Sequence, residues 1–397
     1  MEHYKSIKLK PKKEESLKRF HPWVFSGAIA SLDDTIVEGD VVEVYAHDGT
    51  FLGVGHYQIG TIAVRILSFE ERNLDTDFFT DRLQEAYQMR QSIGLVRNDN
   101  NTFRLVHGEG DMLAGLIIDI YGDLAIVQAH SIGMHMSKLM IATALERVLN
   151  GSVHHIFYKS EGTLPFKAPI NPEDGFLLGG SPDLDLVAIE NNLKFQIDWE
   201  KGQKTGFFID QRENRSLLEK YSHNRSVLNM FCYTGGFSVY ALRGGAKSVV
   251  GVDSSAKAVM LADENVKLNF GEDERYSSSS DDAFKFLKDI PNSAYDLIVL
   301  DPPAFAKHRG AVRNALQGYK KLNLAAFEKV SKGGIIFTFS CSQVISREQF
   351  RLAVFSAAAI SGRKVKILHQ LSQPADHPIN IYHPEGEYLK GLVLQVS

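Results

Sequence analysis

From about residue 190 onward, apolar runs of strand length alternate with segments of helical spacing, and nothing else in the chain constrains the fold as tightly. The runs are "SVLNMFC", "SVVGVD", one near "ERYSSS", "YDLIVLD", "GGIIFTFSC", "KVKILHQL" and "GLVLQV". Between most of them lie "GFSVYALRGG", "AKAVMLADENVKLNF", "DDAFKFLKD", "NALQGYKKLNLAAFEKVS" and "REQFRLAVFSAAAISG". Strands alternating with helices predict a doubly wound, mostly parallel α/β sheet, because each crossover helix must cover a sheet face. The last two runs, separated by what reads as a short polar loop, predict an antiparallel hairpin at one sheet edge.

The preceding residues follow other patterns. Residues 1 to about 70 are short Gly-punctuated β segments. "DVVEVYAHDG" ends in Asp48–Gly49, a hairpin signal, and predicts a small β-barrel. Residues 76–93 have helical spacing, with Phe79, Leu83, Ala86 and Tyr87 on one face. Strands such as "VHHIFYKS" and "NLKFQIDW" and a second helix, "MSKLMIATALERVL", extend this into an α+β module. The expected domains are 1–72, 73–187 and 188–397. That division agrees with a length of 397 residues, beyond the ~250–300 residues one core supports.

Charged residues make up 23% and no run approaches the ~20 apolar residues of a membrane helix, so a cytoplasmic protein with no membrane contact is expected. Two cysteines, Cys232 and Cys341, are too few for a disulfide framework or a cysteine-based zinc site, and no metal is expected. A net charge of −4 does not by itself mark a nucleic-acid binder. The first twenty residues nevertheless hold seven Lys or Arg, and Lys307, Arg309, Arg313, Lys320 and Lys321 form a second basic group.

Five strand ends carry candidate chemistry. "VLNMFCYTGGFSV" runs from a strand through Tyr233, Gly235 and Gly236 into a helix, a layout that lets backbone amides approach a ligand. The G-x-G-x-x-G spacing of a dinucleotide site is absent. The next strand ends in Asp253, placed to accept from ribose hydroxyls, so a nucleoside-containing cofactor fits. Asp281 or Asp282 can face an exocyclic amine, although a helix N-cap is the ordinary role for such a residue. The most specific stretch is "LIVLDPPAF": Asp301 lies at a strand end, Pro302 and Pro303 stiffen the following loop, and Phe305 can lie against a flat base. "FTFSCS" puts Cys341 on the same sheet edge, one strand away. Disulfide, packing and nucleophilic roles all suit a lone thiol, and the convergence with Asp301 favours the last. Cys232 reads as a packing residue. "DWEKGQKTGFFIDQRENR", with Gln203, Lys204, Phe207, Phe208, Asp210 and Arg212, can fold over a cofactor.

"NMFCYTGGFSV", "GVDSS", "LDPPAF" and "FTFSCS" in this order resemble class I S-adenosylmethionine-dependent methyltransferases. "FHPWVFSGAI", "GQKTGFFIDQRENR" and "ADHPINIYHPEGEYLKG" narrow the resemblance to the ribosomal RNA large subunit methyltransferase I family, over nearly the whole chain. The resemblance implies an N-terminal PUA domain, a central α+β domain, a Rossmann-like methyltransferase domain and a homodimer. It implies S-adenosyl-L-methionine held by Gln203, Phe207, Arg212, Tyr233, Gly235, Gly236, Asp253, Asp282 and Asp301. It also implies a 23S ribosomal RNA substrate, 5-methylcytosine as product, and Cys341 as nucleophile with Asp301 beside it. Pro302, Pro303 and Phe305 are the candidate substrate contacts. Two alternatives stand: methylation of an exocyclic amine, which also uses an Asp-Pro-Pro-aromatic loop but needs no thiol, and a non-catalytic RNA-binding or ribosome-assembly role.

Overall fold

In the computed structural model, which describes residues 4–165, 170, 172–180 and 184–397, the alternating pattern becomes a seven-stranded sheet. Its strands are β1 (Ser226–Met230), β2 (Ser248–Asp253), β3 (Tyr276–Ser280), β4 (Tyr295–Leu300), β5 (Val330–Ser340), β6 (Val365–Leu371) and β7 (Lys390–Val396). The helices are α1 (Arg212–Ser222), α2 (Gly236–Arg243), α3 (Ala256–Phe270), α4 (Ala283–Asp289), α5 (Val312–Lys329) and α6 (Arg347–Ser361). The strand order is β3-β2-β1-β4-β5-β7-β6, with β7 alone running against its neighbours. The winding direction reverses between β1 and β4, and ligands of such sheets sit beyond the strand carboxyl ends at that point.

The final two strands do pair antiparallel, but the short loop expected between them is wrong. Residues 372–389 connect them, and β7 slots between β5 and β6, leaving β6 at the edge. Local turn signals at Pro374, Pro378, Pro384 and Gly386 mark a break without giving its length.

Apolar period-2 runs explain the sheet interior: Leu228, Met230, Ile298, Leu300 and Ile336 are buried. α5 lays Ala315, Tyr319, Leu322 and Ala326 on that surface at helical spacing, and α6 adds Phe350, Ala353, Val354 and Ala357. Each fully buried Leu, Ile or Phe contributes roughly 1.5–3 kcal/mol. A capping box starts α6: Ser346 Oγ accepts from Gln349 N, and Gln349 Oε1 accepts from Ser346 N at 2.9 Å.

The chain divides into two compact units. The second comprises Leu193–Gln196, Asp210–Pro374 and Glu387–Ser397; the first comprises Met1–Asn192, Ile197–Ile209 and Ala375–Gly386. Within the first unit, a six-stranded sheet runs from Lys5–Leu9 to Ile62–Ser68, with Lys5–Leu9 and Val41–Tyr45 parallel and the other pairs antiparallel. The Asp48–Gly49 turn joins Val41–Tyr45 to Phe51–Tyr57 as expected, with Gly49 at φ +91°. A five-stranded sheet follows, in the order Gly175–Leu178, His155–Tyr158, Leu124–Ala129, Leu116–Tyr121, Thr102–His107. Helices Thr76–Ser92 and Lys138–Leu149 contribute Phe79, Leu83, Ala86, Ile141 and Leu145 to the core that these strands share. Asp75 caps the first of them by accepting from Phe78 N at 3.0 Å.

Buried charges fix two distant segments into this unit. Arg104 grips Asp119 with two bonds, 2.7 and 2.8 Å, and Thr205 Oγ1 donates to Asp119 Oδ2 at 2.7 Å. Arg104 N donates to Asp376 Oδ2 at 3.0 Å, while Arg90, bidentate on Asp111, donates to Asp376 O at 2.9 Å. The two bonds to Asp376 satisfy its carboxylate and carbonyl and so anchor 375–386, part of the connection between β6 and β7, in the first unit.

Candidate functional site

The second unit assembles its site from the tips of β1 to β5. After β1 the chain turns through Phe231 and Tyr233, both in the left-handed region, to Gly235 at φ +78°, the N-cap of α2. A Cβ at Gly235 would lie 2.9 Å from Ala262 Cβ, so glycine is needed for both conformation and space. Asp253, at the end of β2, fixes this turn. Its Oδ2 accepts from Tyr233 N at 3.0 Å and its Oδ1 from Ser255 N at 2.9 Å. Two amide donors orient the carboxylate and leave each oxygen a further lone pair for a diol. The open backbone at the start of α2 and the oriented acid at the end of β2 suit the methionine and ribose portions of S-adenosylmethionine.

At the tip of β3, Asp282 is the N-cap of α4, its Oδ1 accepting from Lys285 N at 2.9 Å. Asp281 Oδ1 in turn accepts from Asp282 N at 2.8 Å. Asp301 follows β4 and is half-buried. Its Oδ2 accepts from Gln211 Nε2 at 3.0 Å, and Gln211 Oε1 accepts from Asn214 Nδ2 at 2.6 Å. Gln211 and Asn214 are both buried. Sequence reasoning points to Asp210 and Arg212, on either side of Gln211, and misses both Gln211 and Asn214. The available signal was their one-turn spacing at the start of α1, on the side that meets a strand tip.

Cys341 directly follows β5, half-buried, with Sγ 3.9 Å from Pro302 O. The sulfur therefore faces the loop that begins at Asp301, and the apolar interior does not enclose it. Its flanking serines have definite work. Ser340 Oγ and Ser342 Oγ lie 3.0 and 3.1 Å from the buried Tyr319 hydroxyl. Ser342 Oγ also accepts from Ala306 N at 3.2 Å. One hydroxyl of α5 thus ties the Cys341 turn to the Asp-Pro-Pro loop. Phe305, half-buried, tilts against Tyr319 with centroids 4.7 Å apart. Cys232 differs: it is buried, and burial beside Asp253 pushes its thiol pKa up, which suits inert packing.

Lys390, the first residue of β7, is 3% exposed. It pairs across the sheet with Ser340, and its Nζ donates to Ser342 O at 2.8 Å. Burial pulls its pKa down to about 8, against the favourable charges of Cys341 and Glu387.

In the second unit the structure brings together Tyr233, Gly235, Gly236 and Asp253 around one turn, and Asp301, Pro302, Phe305 and Cys341 around another. Pro303 is exposed on the same loop, and Arg212 is buried at the start of α1. Gln203 and Phe207 belong to the first unit. Gly206 N donates to Gln203 O at 2.9 Å, and Phe207 O lies 3.4 Å from the Tyr121 hydroxyl.

A family model described as S-adenosylmethionine-dependent methyltransferase matches residues 171–380, and one described as a PUA-like domain matches residues 7–69. The ribosomal RNA large subunit methyltransferase I of Alteromonas mediterranea is 38% identical over 393 residues, covering 98% of each chain. The enzyme of the same name from Aeromonas hydrophila is 39% identical over 396 residues, covering 98% of this chain and 99% of its own. Among solved structures, SMU.776 complexed with SAH superposes with a TM-score of 0.84 at 23% identity, covering 98% of this chain and 100% of its own, and so shares the fold.

Proposed function

Because the chain belongs to the ribosomal RNA large subunit methyltransferase I family, we propose that it methylates carbon 5 of a cytosine in 23S ribosomal RNA through a covalent Cys341 adduct. The observation that carries this reading is the position of Cys341 Sγ, 3.9 Å from Pro302 O, on the loop that Asp301 begins. S-adenosylmethionine, when bound, supplies an electrophilic methyl group on its sulfonium sulfur.

Carbon 5 of cytosine is a weak nucleophile. The Cys341 thiolate adds to carbon 6, forming an S–C bond and moving the electron pair of the 5,6 double bond to carbon 5. Carbon 5 then accepts the methyl group. A base takes the carbon 5 proton, the S–C bond breaks, and the thiolate is restored. Asp301, held by Gln211, is the acid of this scheme: in its protonated form it donates its proton toward N3 as the adduct forms and takes it back when the S–C bond breaks. The target base leaves its stack to enter the pocket. Asp253 and the turn around Gly235 hold the donor, and Asp282, Gln203, Phe207 and Arg212 are the further contacts expected of it. Pro302 and Pro303 keep the loop rigid, and Phe305 is the aromatic side chain that would meet the base. The basic N-terminal segment and the PUA-like domain grip the RNA backbone, so affinity falls steeply with salt. The three-domain division and a homodimer belong to the same reading.

The test is Cys341→Ala. Turnover should vanish while S-adenosylmethionine binding persists, and native protein should form a denaturation-resistant adduct with 5-fluorocytosine RNA. Full activity in the variant removes Cys341 from the chemistry. Nucleoside mass spectrometry that finds an N-methylated base then supports the amine-methylating alternative.

A further inference from the structure

The inner face of β7 carries Leu392, Leu394 and Val396, all buried in the core between the sheet and helices α5 and α6. Side chains alternate along a strand, so Lys390 occupies the next place in that apolar row. It is 3% exposed. An ammonium there costs several kcal/mol unless a counter-charge compensates it, and a hydrophobic residue would continue the pattern at no such cost. Its Nζ is aimed at the Cys341 turn: it donates to the carbonyl of Ser342 at 2.8 Å, and its backbone pairs with Ser340. Cys341 lies between these two anchors.

We propose that Lys390 is the counter-ion of Cys341, its ammonium holding the sulfur as a thiolate and receiving it again as the leaving group, an inference that rests on Cys341 being the nucleophile. The proton balance is simple. In the resting pair the thiol proton resides on Lys390 Nζ. When sulfur bonds to carbon 6 its negative charge disappears and the ammonium loses its counter-charge. When the S–C bond breaks the ion pair re-forms, which favours release of product. Lys390 acts through Cys341 and is a positioning residue.

The charged groups around Lys390 are Cys341 just after β5, Glu387 just before β7, and Arg347 at the start of α6. Arg347 is engaged with Glu387 and with Leu371 O at 3.2 Å, so this neighbouring pair largely balances itself. The Tyr319 hydroxyl also feels Cys341, but burial raises its pKa and it stays neutral.

The experiment follows the thiol directly. The full-length protein is alkylated with iodoacetamide from pH 5 to 10, and modification of the Cys341 peptide is quantified by mass spectrometry. Removing an opposite charge within ~4–6 Å moves a pKa by about one to three units. Lys390→Met should therefore raise the Cys341 midpoint by at least ~1 pH unit and slow alkylation at pH 7 about tenfold, whereas Lys390→Arg should keep the midpoint low. Should Lys390→Met fail to fold, Cys341→Ser gives the reciprocal measurement: the Lys390 ε-carbon, followed by NMR in lysine-labelled protein, should titrate at lower pH than in the wild type. Midpoints unchanged in Lys390→Met, or an unchanged Lys390 titration in Cys341→Ser, overturn the pairing. A midpoint that moves as expected in a protein forming no adduct with 5-fluorocytosine RNA upholds the pairing and rejects the cytosine chemistry.

Discussion

Replacing Ser342 by alanine removes one hydroxyl and two bonds, and the consequences separate along the two. Ser342 Oγ is the acceptor for Ala306 N, which is buried behind the Asp-Pro-Pro loop, and it also lies on the Tyr319 hydroxyl. Stranding a buried amide costs about 1–3 kcal/mol. Tyr319→Phe removes the hydroxyl's contacts with Ser340, Ser342 and the Phe305 backbone but leaves Ser342 Oγ on Ala306 N, and the serine hydroxyls can rotate, so it should cost only about 0.5–1.5 kcal/mol. For a domain of 150–250 residues each kcal/mol lowers Tm by roughly 2–4 °C. Ser342→Ala should therefore melt several degrees below the wild type, and Tyr319→Phe between the two. Activity should follow the same order, because the loop that begins at Asp301 loses its tether to the Cys341 turn, and a displacement of about 1 Å at a reacting centre costs up to ~100-fold in rate. Affinity for S-adenosylmethionine should not change, since neither side chain touches the turn at Gly235. Calorimetry, single-turnover methylation and cofactor titration on both variants read the three quantities. A Ser342→Ala protein that melts at or above Tyr319→Phe, with wild-type turnover, would refute the tether.

Two further predictions concern other parts of the molecule. Gly235→Ala forces an L side chain into a left-handed conformation 2.9 Å from Ala262 Cβ, so cofactor affinity should fall at least tenfold in titration calorimetry, with some loss of Tm; unchanged affinity would show that this turn does not hold the donor. His56 is buried, and burial with the Arg65 charge pulls its pKa down to about 4. The unfolded chain takes up this proton near pH 6.5 while the folded one resists until about 4. Stability is therefore full above pH 6.5 and declines as pH falls toward 4, by up to about 3 kcal/mol. His56→Phe should flatten that part of the pH–stability curve measured by urea denaturation, and an unaltered slope would assign it to other groups.

Much of the site was legible because strand ends are local events. "LIVLDPPAF" and "FTFSCS" each contain an apolar run and the residue where it stops, and parallel winding sends all such stops to one edge. The same logic placed Asp253 and the turn around Gly235. What it could not reach were groups brought in by pairing between distant segments. Gln211 meets Asp301 from 90 residues earlier, and Tyr319 reaches back to the Cys341 turn from a helix face that reads only as core. By sequence Asp282 suits both a base contact and a helix cap, and the structure shows it as the cap of α4.

The sequence alone determined the α/β alternation, the glycine-bearing turn and the two strand ends that carry a carboxylate and a thiol, because periodicity and backbone restriction act over a few residues. Tertiary structure alone decided that β7 inserts between β5 and β6, delivering Lys390 to a carbonyl 48 residues away, and that residues 375–386 join the first unit. Strand order and buried charge pairing depend on which surfaces find each other after the local elements form, and no short-range pattern encodes that choice.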